Sequence, residues 1–260
     1  MNSLDHPFIL PLRAVAQDKR IIFMYIDLMP CGDLMGVVQH FEKLSLELAR
    51  FYAAQICLSF EYLHGKDMIF RDLKPENVLV SSDGYLKLAD FGFIKKVLKH
   101  ERTHTFCGTP EYIAPEIILN KGYSQPVDWW AFGIFLYELL VGRPPFMAVD
   151  TYEIFEMTLK KKIVFPREFD NAAKSLIKKL CKTDLSERYG NLHKGITDIK
   201  NHRFFKSMSW EKLIEKKLEP PYIPNHKESD GKSKLNAHKD LAEANDNKEF
   251  PPIKVDKDPF

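Results

Sequence analysis

The sequence predicts an α+β fold built on a mainly helical body, and three features lead there. Two long runs without a breaker, SLELARFYAAQICLSFEYLH at 45–64 and VDWWAFGIFLYELLV at 127–141, have the length and all-round apolar character of buried helices. Short β-branched runs stand apart from them, in the first 44 residues and again between Val78 and Ala89. A chain of 260 residues that is 45% hydrophobic can fill a real core, as one large domain or two small ones.

Within the first 44 residues, LPLRAVAQ and RIIFMYIDLM read as strands joined by a hairpin at the polar break Asp18-Lys19, and the remainder as loop. The helix at 45–64 has a Ser cap at its start and Gly65 just beyond its end. Val78–Val80 and Tyr85–Ala89 read as a second hairpin, because Ser81-Ser82-Asp83-Gly84 is turn chemistry. The helix at 127–141 is closed by Gly142 and Pro144-Pro145, and Asp128 and Glu138 within it argue against a membrane span. NAAKSLIKKLCK, from Asn171, carries Ala172, Leu176, Ile177 and Leu180 on one face of an amphipathic helix, and helical character fades after Trp210 to Leu218. From 206 to 260 lysines and acids are equally numerous, and 225–247 has almost no large apolar side chain. That composition suits a mobile tail draped over the domain rather than a second core.

The charge balance excludes some classes of function. Lys plus Arg number 38 against 36 Asp plus Glu, a net charge of +2, so nothing draws the whole molecule to nucleic acid or to an anionic membrane. Cys31, Cys57, Cys107 and Cys181 lie far apart with no C-x-x-C pair, which argues against a zinc site or a disulfide framework. A reducing compartment follows, the cytoplasm first and the nucleus second. The start MNSLDHPFIL lacks the basic and apolar regions of a signal peptide.

The strongest signal is Phe70-Arg71-Asp72-Leu73-Lys74-Pro75-Glu76-Asn77. Its seven residues from Arg71 would arise by chance on the order of once in 10⁹ starting points. Asp90-Phe91-Gly92 follows, then Ala114-Pro115-Glu116. In this order the three segments resemble the catalytic-loop, metal-binding and activation-segment signatures of protein kinases. An isolated Asp is more often a helix cap or a turn residue; the joint spacing is what points to a kinase.

The resemblance implies a protein-kinase-like fold, a large helical lobe with part of a small-lobe sheet, and it implies roles. Asp72 would orient the substrate hydroxyl and accept its proton, with Lys74 placing a positive charge where the phosphoryl group passes. Asn77 and Asp90 would supply hard oxygen ligands to Mg²⁺, shared with the phosphates of ATP. Thr105 matches a phosphorylated position of activation loops, with Arg71 and Lys95 as partners of its dianion and Thr103 as the alternative site. Glu116 and Arg188 resemble a buried structural ion pair, and Asp128 a group that holds the catalytic-loop backbone.

The stretches GTPEYIAPEIILNKGYSQPVDWWAFGIFLYELLVGRPPF, LSERYGN, IKNHRFF and PPYIP are similar to the AGC group of Ser/Thr kinases, in particular the cAMP-dependent type, with cGMP-dependent kinases as near relatives. The match runs from about Pro7 to Pro224. It implies a kinase domain at 1–205, divided into a small-lobe remnant at 1–27 and a large lobe at 28–205, followed by an AGC tail at 206–260. It implies basic peptides or proteins as substrates: Asp33, standing where the group has Glu, would meet an Arg three residues before the acceptor. Glu76 and Glu138 would meet an Arg two residues before it, and Glu111 adds an acidic contact. For ATP it implies a backbone hinge at Asp27-Leu28-Met29, with Ile26 behind, Asp33 and Glu76 beside the nucleotide and Leu79 as the pocket floor. A cAMP-binding regulatory subunit is the implied partner.

The pattern also departs from the group. None of the 12 glycines stands in a G-x-G arrangement, and LDHPFILPL resembles the connection into the fourth strand of the small lobe. The expectation is a fragment that begins after the Gly-rich loop, the phosphate-clamping Lys and its Glu partner. One lost preorganised contact costs about 10²–10³ in turnover, so very poor phosphoryl transfer is expected, with exposed edge strands that favour aggregation. A catalytically silent binding or scaffolding module is the alternative. At the C-terminus, Phe250 suits a nucleotide-site contact, and Lys257-Asp258-Pro259-Phe260 resembles the first half of an aromatic docking pair.

Overall fold

The computed structural model describes residues 4–17 and 21–224. The two strands expected for the first hairpin pair as read, β1, Leu12–Gln17, antiparallel with β2, Ile22–Ile26, in a register running from Leu12 opposite Ile26 to Gln17 opposite Ile22, while the turn expected at Asp18-Lys19 lies outside the described residues. Most of β2 faces solvent, with Ile22, Met24, Tyr25 and Ile26 exposed.

The loop expected before residue 44 contains a helix instead. α1 spans Leu34–Phe41, with the Asp33 carboxylate accepting from Gly36 N at 2.9 Å. Its short apolar stripe, Leu34, Val37 and Val38, is buried, so packing overrides the weak helix propensity of Gly36 and two valines. α2, Leu46–Gly65, begins where expected: Ser45 Oγ accepts from Leu48 N at 3.2 Å. Burial covers most of its circumference.

Met68–Ile69 forms β3, and a second hairpin follows from β4, Val78–Val80, and β5, Leu86–Leu88. Gly84 in its turn has φ +78°, and an added Cβ would lie 2.5 Å from Tyr222 O. Both the backbone and the close approach therefore call for glycine. β6, Lys95–Lys96, returns to pair with β3.

The short α3, Pro115–Ile118, leads into α4, Pro126–Val141, which is buried on nearly every side and stops at Gly142 in the left-handed conformation, φ +86°. α5, Thr151–Lys160, and α6, Asn171–Leu180, are capped by Asp150 and Asp170. α7, Thr197–Lys200, and α8, Trp210–Ile214, complete the body. Phe60, Trp129 and Phe132 meet edge to face where α2 crosses α4.

The last helix ends at Ile214, short of the Leu218 at which helical character is expected to fade, and residues 206–224 lie over the body as expected, while the rest of the expected mobile tail, 225–260, lies outside the described residues. Leu213 is fully buried, Tyr85 Oη donates to Leu218 O at 2.5 Å, and Lys216 pairs with Asp83 at 3.0 Å. Phe250 and residues 257–260 lie outside the described residues. Among the described residues, no helix is long and apolar enough to cross a membrane.

Candidate active site

The segment from Phe70 to Asn77 is an extended loop hung from the first turn of α4. Asp128, fully buried there, accepts from Phe70 N and Arg71 N at 2.9 Å each, and its second oxygen also meets His64 Nε2 at 2.7 Å. Arg71 has φ +73°, an unfavourable conformation for an arginine, and the Asp128 carboxylate fixes the two amides around it. The loop is thereby locked from below.

Asp72 sits above that lock, 4% exposed, with both oxygens engaged. Asn77 Nδ2 donates to Asp72 Oδ2 and to the Asp72 carbonyl, at 2.8 Å each. Thr109 Oγ1 donates to Asp72 Oδ1 at 2.8 Å and accepts from Lys74 Nζ at 3.0 Å, leaving the ammonium 3.6 Å from Asp72. The arrangement is a fixed carboxylate with a cation beside it.

Asn77 and Asp90 lie at one end of the β4–β5 hairpin, tied by Ala89 N donating to Asn77 O at 2.8 Å. Asp90 is exposed, has φ +54°, and accepts from Gly92 N at 3.2 Å. With the Asn77 amide nitrogen occupied by Asp72, its side-chain oxygen and the Asp90 carboxylate are a hard-oxygen donor pair. That pair fits Mg²⁺, which takes one or two protein oxygens and completes its shell with water and phosphate. Among the described residues, no group of three or more His, Cys, Asp or Glu could hold a metal ion.

At the hinge positions, the Asp27 side chain forms a two-pronged pair with Arg13 at 2.7 Å, which holds its carboxyl below the usual range. Leu28 is 83% exposed and Ile26 is 52% exposed. Leu79, the expected pocket floor, forms an isolated antiparallel bridge with Asp33, the cap of α1.

The activation segment is ordered by Tyr123, Arg71 and Lys95. Arg71 Nε donates to Phe93 O at 2.6 Å and Nη1 to Tyr123 Oη at 3.1 Å. Lys95 Nζ reaches Thr103 Oγ1 at 3.0 Å rather than Thr105, whose hydroxyl is 3.4 Å from that of Thr103. Thr103 is buried and Thr105 exposed.

On the other side lies an acidic cluster. Glu138, 4% exposed on α4, accepts a hydrogen bond from Tyr112 Oη, and its carboxyl is pushed up to about 8 by burial and by the neighbouring charges of Glu76 and Glu111. Asp33 has one oxygen committed to its helix cap. Beneath the site, Arg188 meets Glu116 through two bonds of 2.6 and 2.9 Å, donates to Pro126 O and Lys182 O, and lies over the Trp130 ring.

Residues 1–205 match the protein kinase domain. This chain belongs to the protein kinase family. The kinase chain is 43% identical over 231 residues to cAMP-dependent protein kinase type 3 of Saccharomyces cerevisiae, covering 89% of this chain and 58% of that protein. It is 44% identical over 224 residues to the Homo sapiens cAMP-dependent protein kinase catalytic subunit PRKX, 86% of this chain and 62% of the relative. The cAMP-dependent protein kinase catalytic subunit of Dictyostelium discoideum is also 44% identical over 224 residues, of which the chain covers 34% of the relative. The kinase chain thus spans about three-fifths of the length of the first two relatives.

Three residues of this kinase site were not assigned a role from sequence. Thr109 joins Asp72 to Lys74, Tyr112 caps Glu138, and His64 shares Asp128. Thr109 and Tyr112 both stand in Gly108-Thr109-Pro110-Glu111-Tyr112, which offered a signal; His64 ends an apolar helix and offered none.

Proposed function

We propose that this chain acts as a Ser/Thr protein kinase of the cAMP-dependent type, transferring the γ-phosphate of ATP to Ser or Thr in Arg-containing peptides. The observation that carries the reading is Asp72, buried and held by Asn77 and Thr109 with Lys74 beside it. A substrate hydroxyl taking the place of the Thr109 hydroxyl would meet a carboxylate already oriented to accept its proton, so little reorganisation remains at the moment of transfer. Lys74 lies where it can oppose charge on the transferring group. Asn77 and Asp90 would hold the metal, and ATP with Mg²⁺, when bound, supplies the phosphoryl group and neutralises its charge.

The acidic cluster of Glu76, Glu111 and Glu138 supports the preference for arginine. A guanidinium pairs two-pronged with carboxylates, and the buried Glu138 carboxyl, beside the like charges of Glu76 and Glu111, is paired with no Lys or Arg among the described residues. The resemblance to cAMP-dependent relatives supports a cAMP-binding regulatory subunit as partner. The four cysteines are free, which suits the cytoplasm or the nucleus.

A second reading, a module that binds basic peptides without turnover, rests on the acidic cluster of Glu76, Glu111 and Glu138 alone. Transfer of labelled phosphate from Mg²⁺–ATP to an Arg-containing Ser peptide tests both, alongside direct measurement of peptide binding. The 260-residue chain is expected to bind the peptide and turn it over slowly, with Asp72→Asn abolishing that turnover. Turnover that survives Asp72→Asn would refute the kinase reading, and tight binding with no turnover would favour the module.

A further inference from the structure

Lys87 is a half-buried lysine with no part in the transfer just described. It stands on β5 opposite Leu79 of β4, and opposite residues of an antiparallel pair share a face. Val78, Val80, Leu86 and Leu88 are buried on the other face, so Leu79 and Lys87 occupy the partly exposed side of the hairpin. Charged and titratable groups meet Lys87 from several elements: Arg13 of β1, Asp27 just after β2, Asp83 in the hairpin turn, Lys216 beyond α8, and His6 of the N-terminal segment. His6 offers no acceptor. Its Nδ1 already accepts from Phe8 N at 3.2 Å, and burial holds the ring neutral by pushing it down to about 4.

Three cations therefore share two carboxylates, and both carboxylates are taken. Arg13 holds Asp27 through two bonds of 2.7 Å, and Lys216 holds Asp83 at 3.0 Å. Among the described residues Lys87 pairs with no acid. Burial and the like charge of Lys216 hold its ammonium below the ordinary lysine range, against the pull of Asp27 and Asp83. More of it is then free amine near neutral pH, and the free amine is the nucleophile. We propose that Lys87 is a modification site, a nucleophilic amine that takes acyl groups from acyl thioesters. Its unprotonated Nζ attacks the thioester carbonyl carbon. The N–C bond forms, the C–S bond breaks, the thiolate leaves with the electron pair, and the proton shed by nitrogen goes to solvent. The amide that results is neutral, so the two remaining cations match the two carboxylates. Because Leu79 is the expected floor of the nucleotide pocket, the acyl group would stand beside that floor; this consequence rests on the proposed function, whereas the reactivity does not.

The test is acetylation of the 260-residue chain by the acetyl thioester of N-acetylcysteamine, with initial rates at each lysine read by mass spectrometry across a range of pH. The exposed Lys99 is the internal reference. Lys87 is expected to reach half its limiting rate at a lower pH than Lys99 does. Two substitutions then act against intuition, because each removes a neighbouring cation and frees an acid for Lys87. Near neutral pH, Lys216→Gln should slow its acetylation by about tenfold and Arg13→Gln by about threefold, a unit of pKa being tenfold in free amine, with Lys99 unchanged. A substitution that merely loosened the hairpin would speed labelling instead. Acetylation of Lys87 that follows the same pH curve as Lys99, or that does not occur, would overturn the proposal. So would labelling that stays constant or rises in both variants, since the rate would then report access rather than the unmatched charge.

Discussion

Glu116 and Glu138 are both buried, one beneath the start of α4 and the other near its end, yet only Glu116 has a cation. Arg188 grips Glu116 with two nitrogens and spends its remaining donors on backbone carbonyls, so that region is closed in on itself. Glu138 has the Tyr112 hydroxyl and, instead of an arginine, the like charges of Glu76 and Glu111. Among the described residues no Lys or Arg pairs with it. A buried charge satisfied within the fold serves stability; a buried acid left with only a neutral donor and like charges is a place for a cation from elsewhere. The contrast sets a closed ion pair on α3 against an acid on α4 that the proposed peptide site would use.

The largest expected effect breaks the closed side. Arg188→Ala strands Glu116 and two carbonyls in the interior and should cost about 3–5 kcal/mol in urea unfolding. A loss below about 1 kcal/mol would mean that the pair is not the keystone its burial indicates. Next comes Asp128→Ala, which removes the acceptor for Phe70 N and Arg71 N; about 3 kcal/mol is expected, because two buried amides lose a charged partner together. These two substitutions lie against one buried core, so both should act on a single cooperative transition.

The open side should behave in the opposite way. The Glu138 carboxyl is raised from 4.5 to about 8, so between those values the folded state holds a proton that the unfolded state has released. Stability from this group is therefore fully present at low pH and falls as pH rises toward about 8, with no further loss above it. Glu138→Gln keeps the shape, removes the titration, and should flatten that slope in unfolding curves recorded across the window. An equally steep slope in the variant would assign the proton to another group. The same substitution should weaken binding of an Arg-containing peptide by about tenfold or more, measured by fluorescence anisotropy, while Arg188→Lys should leave the peptide site unchanged wherever the fold survives.

How much of this was legible in the sequence follows from how local each feature is. Helix α2 could be read because Ser45 caps it and nothing interrupts it, whereas α1 could not, because eight residues containing Gly36, Val37 and Val38 are helical only through the core they cover. The β3–β6 pair joins Met68 to Lys96, two residues from each side, and neither half has a strand pattern of its own. Within the site, Asp72, Lys74 and Asn77 are neighbours in the chain and announce themselves. Thr109 reaches Asp72 across 37 residues, and Lys95 turns to Thr103 rather than Thr105. Such choices are made by packing of the activation segment, which no local pattern encodes.

The smallest effect is expected at the Arg13–Asp27 pair, and it sharpens the rule drawn from the two glutamates. Arg13 and Asp27 have geometry as good as that of Arg188 and Glu116, two bonds of 2.7 Å, but their side chains are 62% and 41% exposed. Water solvates each ion almost as well as its partner does, and salt screens what remains. Asp27→Asn should therefore leave the urea midpoint unchanged within error. Its depressed carboxyl should rise toward the ordinary value when Arg13→Gln is made, as followed by the Asp27 carboxyl resonance during acid titration. If Asp27→Asn instead destabilised the chain as much as Arg188→Ala does, bond geometry rather than burial would govern these pairs, and the distinction drawn between Glu116 and Glu138 would lose its basis.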